Sequence, residues 1–319
     1  MKSKITSFAL VDLLVTAAVA VVLLSLGIPA VSRVHELSKR SVCALNLAGI
    51  GAAAKIYATS NKDQWMVPPF KQGAIDNLGI DYLAGNRVNE PPVEPGEVGN
   101  LRLYQTTSET PNSNTGSTAM SVTRAYWMLV RSGDVSVKQF ICPSNLDDVP
   151  DHTEQIDLYY DFTGYRNISY GYQVPFGPRD TQPREGADVH KILAADKGPF
   201  YLASSGSYFD YAGEDGGPIQ LDDPPKNWRR FNSLNHGGAF GEGQNVLYSD
   251  GQVSFVRIPA VGVDNDNIYT LMLNDWTTIY GRIHGDTPHE SAAFNPYPGQ
   301  NAFGPGGGRY SSTDSLIYP

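Results

Sequence analysis

Residues 13–32 are twenty consecutive uncharged side chains, and they begin only twelve positions into the chain. A helix needs ~20 apolar residues to cross a bilayer, whereas the apolar stretch of a cleaved secretory signal runs to only ~7 to 15 and ends in a small-residue cleavage site. The run is therefore expected to stay with the mature protein as an anchor, and the rest of the chain must fold beside a helix held in lipid.

Asp12 stands at the edge of this run. A carboxylate costs ~2.5 to 3.5 kcal/mol at mid-bilayer and less near the interface, so it requires a cationic partner. If the chain is cut between Ser7 and Phe8, the new α-amino group of Phe8 lies four residues ahead of Asp12 on the same helical face. A neighbouring copy can offer its amine in the same way. Gly27 and Pro29 fall inside the apolar run. Proline removes one helical hydrogen bond and crowds the preceding turn, which predicts a kink or a locally extended stretch over residues 25–29.

The helical pattern continues past the apolar run. Val34, Leu37, Ala44, Leu45, Ala48, Ala52 and Ile56 recur at steps of three and four and define the expected apolar stripe. One helix over residues 8–59 would be roughly 75 Å long at ~1.5 Å per residue, half in lipid and half laid on a globular domain. Lys2 and Lys4 precede the apolar run while Arg33, Lys39 and Arg40 follow it, so charge alone does not set the orientation.

The chain is 18% charged with a net charge of −9, and its 32 glycines and 22 prolines predict a loop-rich domain of short strands after the helix. No basic patch interleaved with aromatics occurs, which argues against nucleic acid as a partner. Residues 105–117 and 299–308 have the polar or Gly-rich composition of surface segments. Tyr159, Tyr160, Phe162, Tyr165, Tyr170 and Tyr172 suit glycan stacking or strand packing equally, and Trp228, Trp276 and Tyr280 read as core or edge residues.

Val246-Leu247-Tyr248 and Val253-Ser254-Phe255-Val256 are β-prone runs joined through Asp250-Gly251, which predicts a hairpin with a type I′ turn. Gly237, Gly238, Gly241 and Gly243 precede it in a loop suited to close backbone packing or to a bound group. His236 reads as a hydrogen-bonded structural residue, with the alternative that it gathers a metal or ligand together with Asp250 and the Asp264-Asn265-Asp266 cluster. Asp264-Asn265-Asp266 reads as a turn, with Asp264 and Asp266 the oxygen donors that calcium would take. Neither Cys43 nor Cys142 has a second Cys or His at ligand spacing, so no zinc site is expected from them.

Ser7-Phe8-Ala9-Leu10-Val11-Asp12 resembles the N-terminal signal of type IV pilins and type II secretion pseudopilins, with Ser7 in place of the usual Gly and Asp12 in place of the usual Glu. The segment from His236 to Asp250-Gly251 is similar to the H-x9-DG processing-associated domain that follows such signals in planctomycete-type proteins, with four extra residues in the loop. Asp196-Lys197-Gly198-Pro199-Phe200, Asn167 to Pro175 and Val261 to Thr270 look like further segments of that domain.

The resemblance implies an α+β, pilin-like fold, a long N-terminal helix on a loop-rich antiparallel sheet. Its parts would be a leader at 1–7, a transmembrane half-helix at 8–32, an amphipathic half-helix at 33–60, a globular domain at 61–300 that contains the hairpin region 232–257, and a Gly-rich tail at 301–319. It further implies prepilin-peptidase cleavage at Ser7 with methylation of Phe8, an assembly role for Asp12, helix bending at Gly27 and Pro29, and a cytoplasmic N-terminus. Cys43 and Cys142 each fall where the family has a cysteine, which favours a bridge between them if the domain faces an oxidising periplasm, although two unpaired buried thiols fit the residues as well. The implied partners are other pilin or pseudopilin subunits in a homo- or hetero-polymer and an assembly platform in the membrane. The implied place is the inner membrane, single-pass, with the domain in the periplasm or on the cell surface.

The expected role is a structural filament subunit and not an enzyme. Two readings compete: an anchored protein that binds calcium or glycans, and a tethered hydrolase using His236 and Asp250. No phosphate-cradling loop, nucleophile elbow or helix-borne His pair supports catalysis.

Overall fold

Helix α1 (Leu10–Ser60) is a single element of 51 residues, about 76 Å long at ~1.5 Å per residue. The locally extended stretch expected over residues 25–29 does not form: the backbone stays α-helical through Gly27 and Pro29. One lost hydrogen bond is offset by the intact ladder on either side, since only nucleation of a helix is costly. From Asp12 to Ser25 every side chain is exposed, Leu13, Leu14, Val19, Leu23 and Leu24 among them. Among the described residues α1 is the one helix long and apolar enough to cross a membrane by length and composition. This computed structural model describes residues 10–68, 122–154, 156–159, 161–175, 182–199, 201–202, 207–208, 221–237, 241–269, 313 and 315–318. Ser7, Phe8, Trp276, Tyr280 and residues 105–117 and 299–308 lie outside them.

The C-terminal half of α1 docks on the domain through Arg40, Cys43, Leu47, Ile50, Ala54 and Ala58. This is not the stripe expected from periodicity. Val34, Leu37, Leu45, Ala52 and Ile56 are exposed, and Ala44 and Ala48 are half-buried. The segment is apolar around most of its circumference, so spacing alone does not select a face; the domain takes the side where Gly51, Ala54 and Ala58 accompany Leu47 and Ile50, and the small residues let the backbone come close. Gly51 lies there, and a Cβ at that position would stand 2.9 Å from both terminal carbons of Leu247.

The domain has a short helix α2 (Arg124–Ser132) and strands β1 (Tyr170–Gln173), β2 (Ile192–Asp196), β3 (Tyr201–Leu202), β4 (Ser207–Tyr208), β5 (Gln244–Tyr248), β6 (Val253–Val256) and β7 (Ile317–Tyr318). Strands β3 and β4 pair with each other. The others form one antiparallel sheet in the order β6-β5-β2-β1-β7, which makes the fold α+β.

Alternate strand residues enter opposite cores. Leu247 and Leu316 face the layer shared with α1 and α2, while Val246 and Ile317 face a second cluster with Trp228, Phe231, Ile268 and Tyr269. A register shift between Ile192 and Ala194 sends both Leu193 and Ala194 to the α1 side. The chain end, expected to belong to a Gly-rich tail, instead supplies the edge strand β7 beside β1.

The first core layer is aromatic. Tyr126 lies 5.0 Å from Phe140 and 5.1 Å from Tyr172, and Phe162 meets Trp127 and Phe140 edge-on at 4.9 and 5.1 Å between centroids. Tyr159, Phe162, Tyr170, Tyr172 and Trp228 are all buried, so these residues pack the interior and do not form a glycan platform. A disulfide between Cys43 and Cys142 joins α1 to the domain across 99 residues. Closing a loop of that length is worth up to ~4.7 kcal/mol in the chain-entropy model.

The β5–β6 hairpin forms with Gln244 opposite Val256 and Leu247 opposite Val253. Its turn is not type I′. Only Gly251 has positive φ (93°); its N–H bonds to the Tyr248 carbonyl at 2.9 Å, and the Tyr248 N–H bonds to the Gln252 carbonyl at 2.9 Å. That is a three-residue loop built on a type I turn with a glycine bulge, for which Asp-Gly chemistry is equally suited.

Gly51→Leu is expected to push α1 off Leu247 and to destabilise the chain by about 1–3 kcal/mol, as overpacking does. Thermal unfolding of the detergent-solubilised full chain measures this as a lowered melting temperature.

Candidate functional site

Glu36 and Arg40 lie one turn apart on α1, among the few charged residues of a helix that is otherwise largely apolar. The sheet meets them with the segment before β5. His236 is fully buried, and its Nδ1 stands 2.9 Å from Glu36 Oε1. An ionised carboxylate only accepts, so Nδ1 carries a proton. On the other side of the ring, Nε2 lies 3.4 Å from Asp196 Oδ2 at the end of β2, 3.2 Å from the Asn245 amide on β5 and 3.7 Å from Cys142 Sγ. The imidazole is thus a strut between a carboxylate of α1, the stem of the molecule, and a carboxylate of the sheet.

Each carboxylate is itself held. Ser144 donates its hydroxyl to both Glu36 oxygens at 3.1 Å. Asp196 accepts from the Asn245 backbone N–H at 2.6 Å and from the Asn235 amide at 3.1 Å, and its carbonyl accepts the Tyr269 hydroxyl at 2.7 Å. Glu242 bonds Arg40 and takes Arg33 at 2.8 Å, while its backbone N–H donates to the His236 carbonyl at 2.9 Å. Arg40 also lies 4.4 Å over the Phe255 ring, which meets His236 edge-on at 5.8 Å.

Beneath this clamp sits a buried pair, Lys197 and Asp148, at 2.6 Å. Ser169 donates its hydroxyl to Asp148 at 2.6 Å and accepts the Cys142 N–H at 2.9 Å, which ties the pair to the disulfide.

Burial works against a charged imidazole, but the hydrogen bonds and charges of Asp196 and Glu36 together outweigh it and hold His236 above its ordinary value of 6.5. The bonds from Arg40 and Arg33 pull Glu242 down to about 2. Burial pushes Asp148 up and Lys197 down, with their mutual pairing opposing both. The cluster is therefore built to hold stem and sheet together electrostatically. With both ring nitrogens engaged and no exposure, His236 is not presented to a substrate.

The sequence-expected residues separate. His236 lies at the open end of the β5–β6 hairpin and Asp250 at its turn, where Asp250 accepts the Gln252 N–H at 2.8 Å and its carbonyl takes Lys55 Nζ at 2.5 Å. Each end of the hairpin thus grips α1. Gly238 lies outside the described residues, while Gly241 serves close packing: a Cβ there would stand 2.2 Å from the Ser233 carbonyl oxygen.

Asp264 and Asn265 take left-handed backbone and are exposed, whereas Asp266 is buried and accepts the Ser315 N–H at 2.7 Å. Asp264 and Asp266 thus belong to a turn that pins Ser315, with one carboxylate outside and the other in the core. Among the described residues, the one trio of metal-ligating atoms in mutual reach is Cys43, Cys142 and His236, within 4.8 Å of one another. Asp12 is exposed in the first turn of α1.

Sequence reasoning missed Glu36, Arg40, Asp196, Asn245 and the Lys197–Asp148 pair. Glu36 and Arg40 carried a usable signal, since charges spaced four apart on an apolar helix require partners. No protein-family profile, curated protein or solved structure matches the chain.

A raised His236 value means that the clamp's contribution is fully present below pH ~6.5 and is lost as pH rises through the raised value. The full chain should melt at progressively lower temperature over that rise. His236→Ala should destabilise it by about 1–3 kcal/mol at low pH, by leaving Asp196 without this partner, and should flatten the profile. Melting curves from pH 5 to 9, with the disulfide intact, test both.

Proposed function

We propose that this protein is a membrane-anchored structural subunit of a type IV pilus or of a type II secretion-type filament, cleaved before Phe8 and assembled through α1. The observation that carries this reading is the division of labour along one helix. Its first part is apolar and exposed on all described sides, as a lipid or helix-bundle environment requires, and its second part is bound to a globular domain by a disulfide, by the His236 clamp and by Lys55. A stem so held transmits force to its domain without hinging.

The exposed row Val34, Leu37, Val42, Leu45 and Ile56 on the docked half supports the same reading, because it gives neighbouring stems an apolar surface to pack against. In this scheme Asp12 neutralises the N-terminal amine of an adjacent subunit within a bundle that excludes water. Prepilin peptidase, fellow subunits and a membrane platform are the partners, with the domain on the periplasmic side or the cell surface.

Mass analysis of the N-terminus of protein from native membranes is expected to return an N-methylated Phe8. An intact Met1 would overturn the proposal in favour of a plain anchor. Asp12→Ala is expected to leave cleavage unchanged and to reduce recovery of the protein in sheared filaments by at least tenfold, read by immunoblot.

A further inference from the structure

The buried trio at the stem–domain junction is more than a disulfide with a histidine nearby. We infer that when the Cys43–Cys142 bond is reduced, Cys43 Sγ, Cys142 Sγ and His236 Nε2 hold one zinc-type divalent cation, so that a metal replaces the disulfide as the tie between stem and domain.

The donor set fits such an ion. Two thiolates and an imidazole are the ligands that zinc takes, with the fourth position left to a water. Bonds of ~2.3 Å to sulfur and ~2.0 Å to nitrogen place neighbouring ligand atoms of a tetrahedron about 3.5 to 3.8 Å apart. His236 Nε2 and Cys142 Sγ already stand 3.7 Å apart. The cysteine Cα atoms are 5.2 Å apart, so side-chain rotation alone can open the sulfurs to that spacing.

The surroundings fit as well. Glu36 takes the Nδ1 proton at 2.9 Å, which directs Nε2 to the metal and makes the ring a better donor, the usual carboxylate support of a ligating histidine. Asp196 Oδ2, 3.4 Å from Nε2, adds negative charge beside the dication. Ser169 holds the Cys142 backbone N–H, which fixes that ligand's main chain.

The chemistry balances. A small dithiol transfers two electrons and two protons to the disulfide, giving two cysteine thiols and its own cyclic disulfide. The cation then displaces the two thiol protons and the Nε2 proton, where one is present, to solvent. A small disulfide reverses the step: it takes two electrons from the two thiolates and two protons from solvent to become two thiols, the Cys43–Cys142 bond re-forms, and the ion is released. This inference rests on the junction alone and is independent of whether the protein polymerises.

The test uses the full chain in detergent, reduced with a phosphine that does not itself offer a thiol ligand, and titrated with Co2+. The expected result is one cobalt per chain with intense tetrahedral d–d bands and a sulfur-to-cobalt charge-transfer band, all displaced by Zn2+. The oxidised chain is expected to show no such bands, Cys142→Ser to lose the charge-transfer intensity by half or more, and His236→Ala to weaken affinity at least tenfold. Circular dichroism follows the fold throughout. If reduction loosens the fold, cobalt should restore it. A reduced, folded chain without the charge-transfer band overturns the inference, as does a loosened chain that cobalt leaves unrestored, or cobalt bound only in the octahedral form of adventitious surface ligands.

Discussion

A single imidazole carries the junction on which the rest of this architecture depends. His236, itself fully buried, sits between the half-buried Glu36 of the stem and the fully buried Asp196 of the sheet. A buried carboxylate such as Asp196 is costly unless it is paired and hydrogen-bonded, and here it receives the Asn245 N–H, the Asn235 amide and the ring. Removing any one member leaves the others exposed to that cost, so the set acts as a unit. The disulfide beside it and Lys55 at the far end of the hairpin give α1 further ties to the same domain, and together they make helix and domain one body.

That attachment explains how a helix can be apolar on two sides without contradiction. Its small side chains, Gly51, Ala54 and Ala58, face the sheet and let Leu247 come close. Of its larger ones, Leu47 and Ile50 pack inward beside them, while Leu37, Leu45 and Ile56 point away. Apolar side chains left facing water bring no stabilisation to an isolated subunit, and in the proposed filament they find their partners on other stems. The described residues of the domain, by contrast, pack a core on both faces of the sheet.

Local features were read from the residues with good fidelity, because their causes are local. The hairpin came from β-prone runs flanking Asp250-Gly251, and even there the turn type went astray: Asp-Gly serves both a two-residue loop and a three-residue loop with a bulge, and the choice depends on the pairing of Tyr248 with Gln252. The turn at Asp264 to Asp266 was likewise visible. What spacing did not show there is that the turn leaves Asp264 exposed and sends Asp266 into the core. No third ligand stands near either cysteine in sequence, so spacing gives no sign of a zinc-type set, yet His236 reaches Cys142 across 94 residues.

By itself the sequence determined that one long apolar helix leads the chain, that a short-stranded domain follows and that a hairpin closes on Asp250-Gly251. Composition, periodicity and turn chemistry act over a few residues and suffice for these. Only the tertiary structure decided which face of the helix is buried, that the last residues of the chain complete the sheet, and that His236 meets a glutamate 200 residues away. Periodicity records which side chains share a face, but what lies opposite that face is set by packing between distant segments.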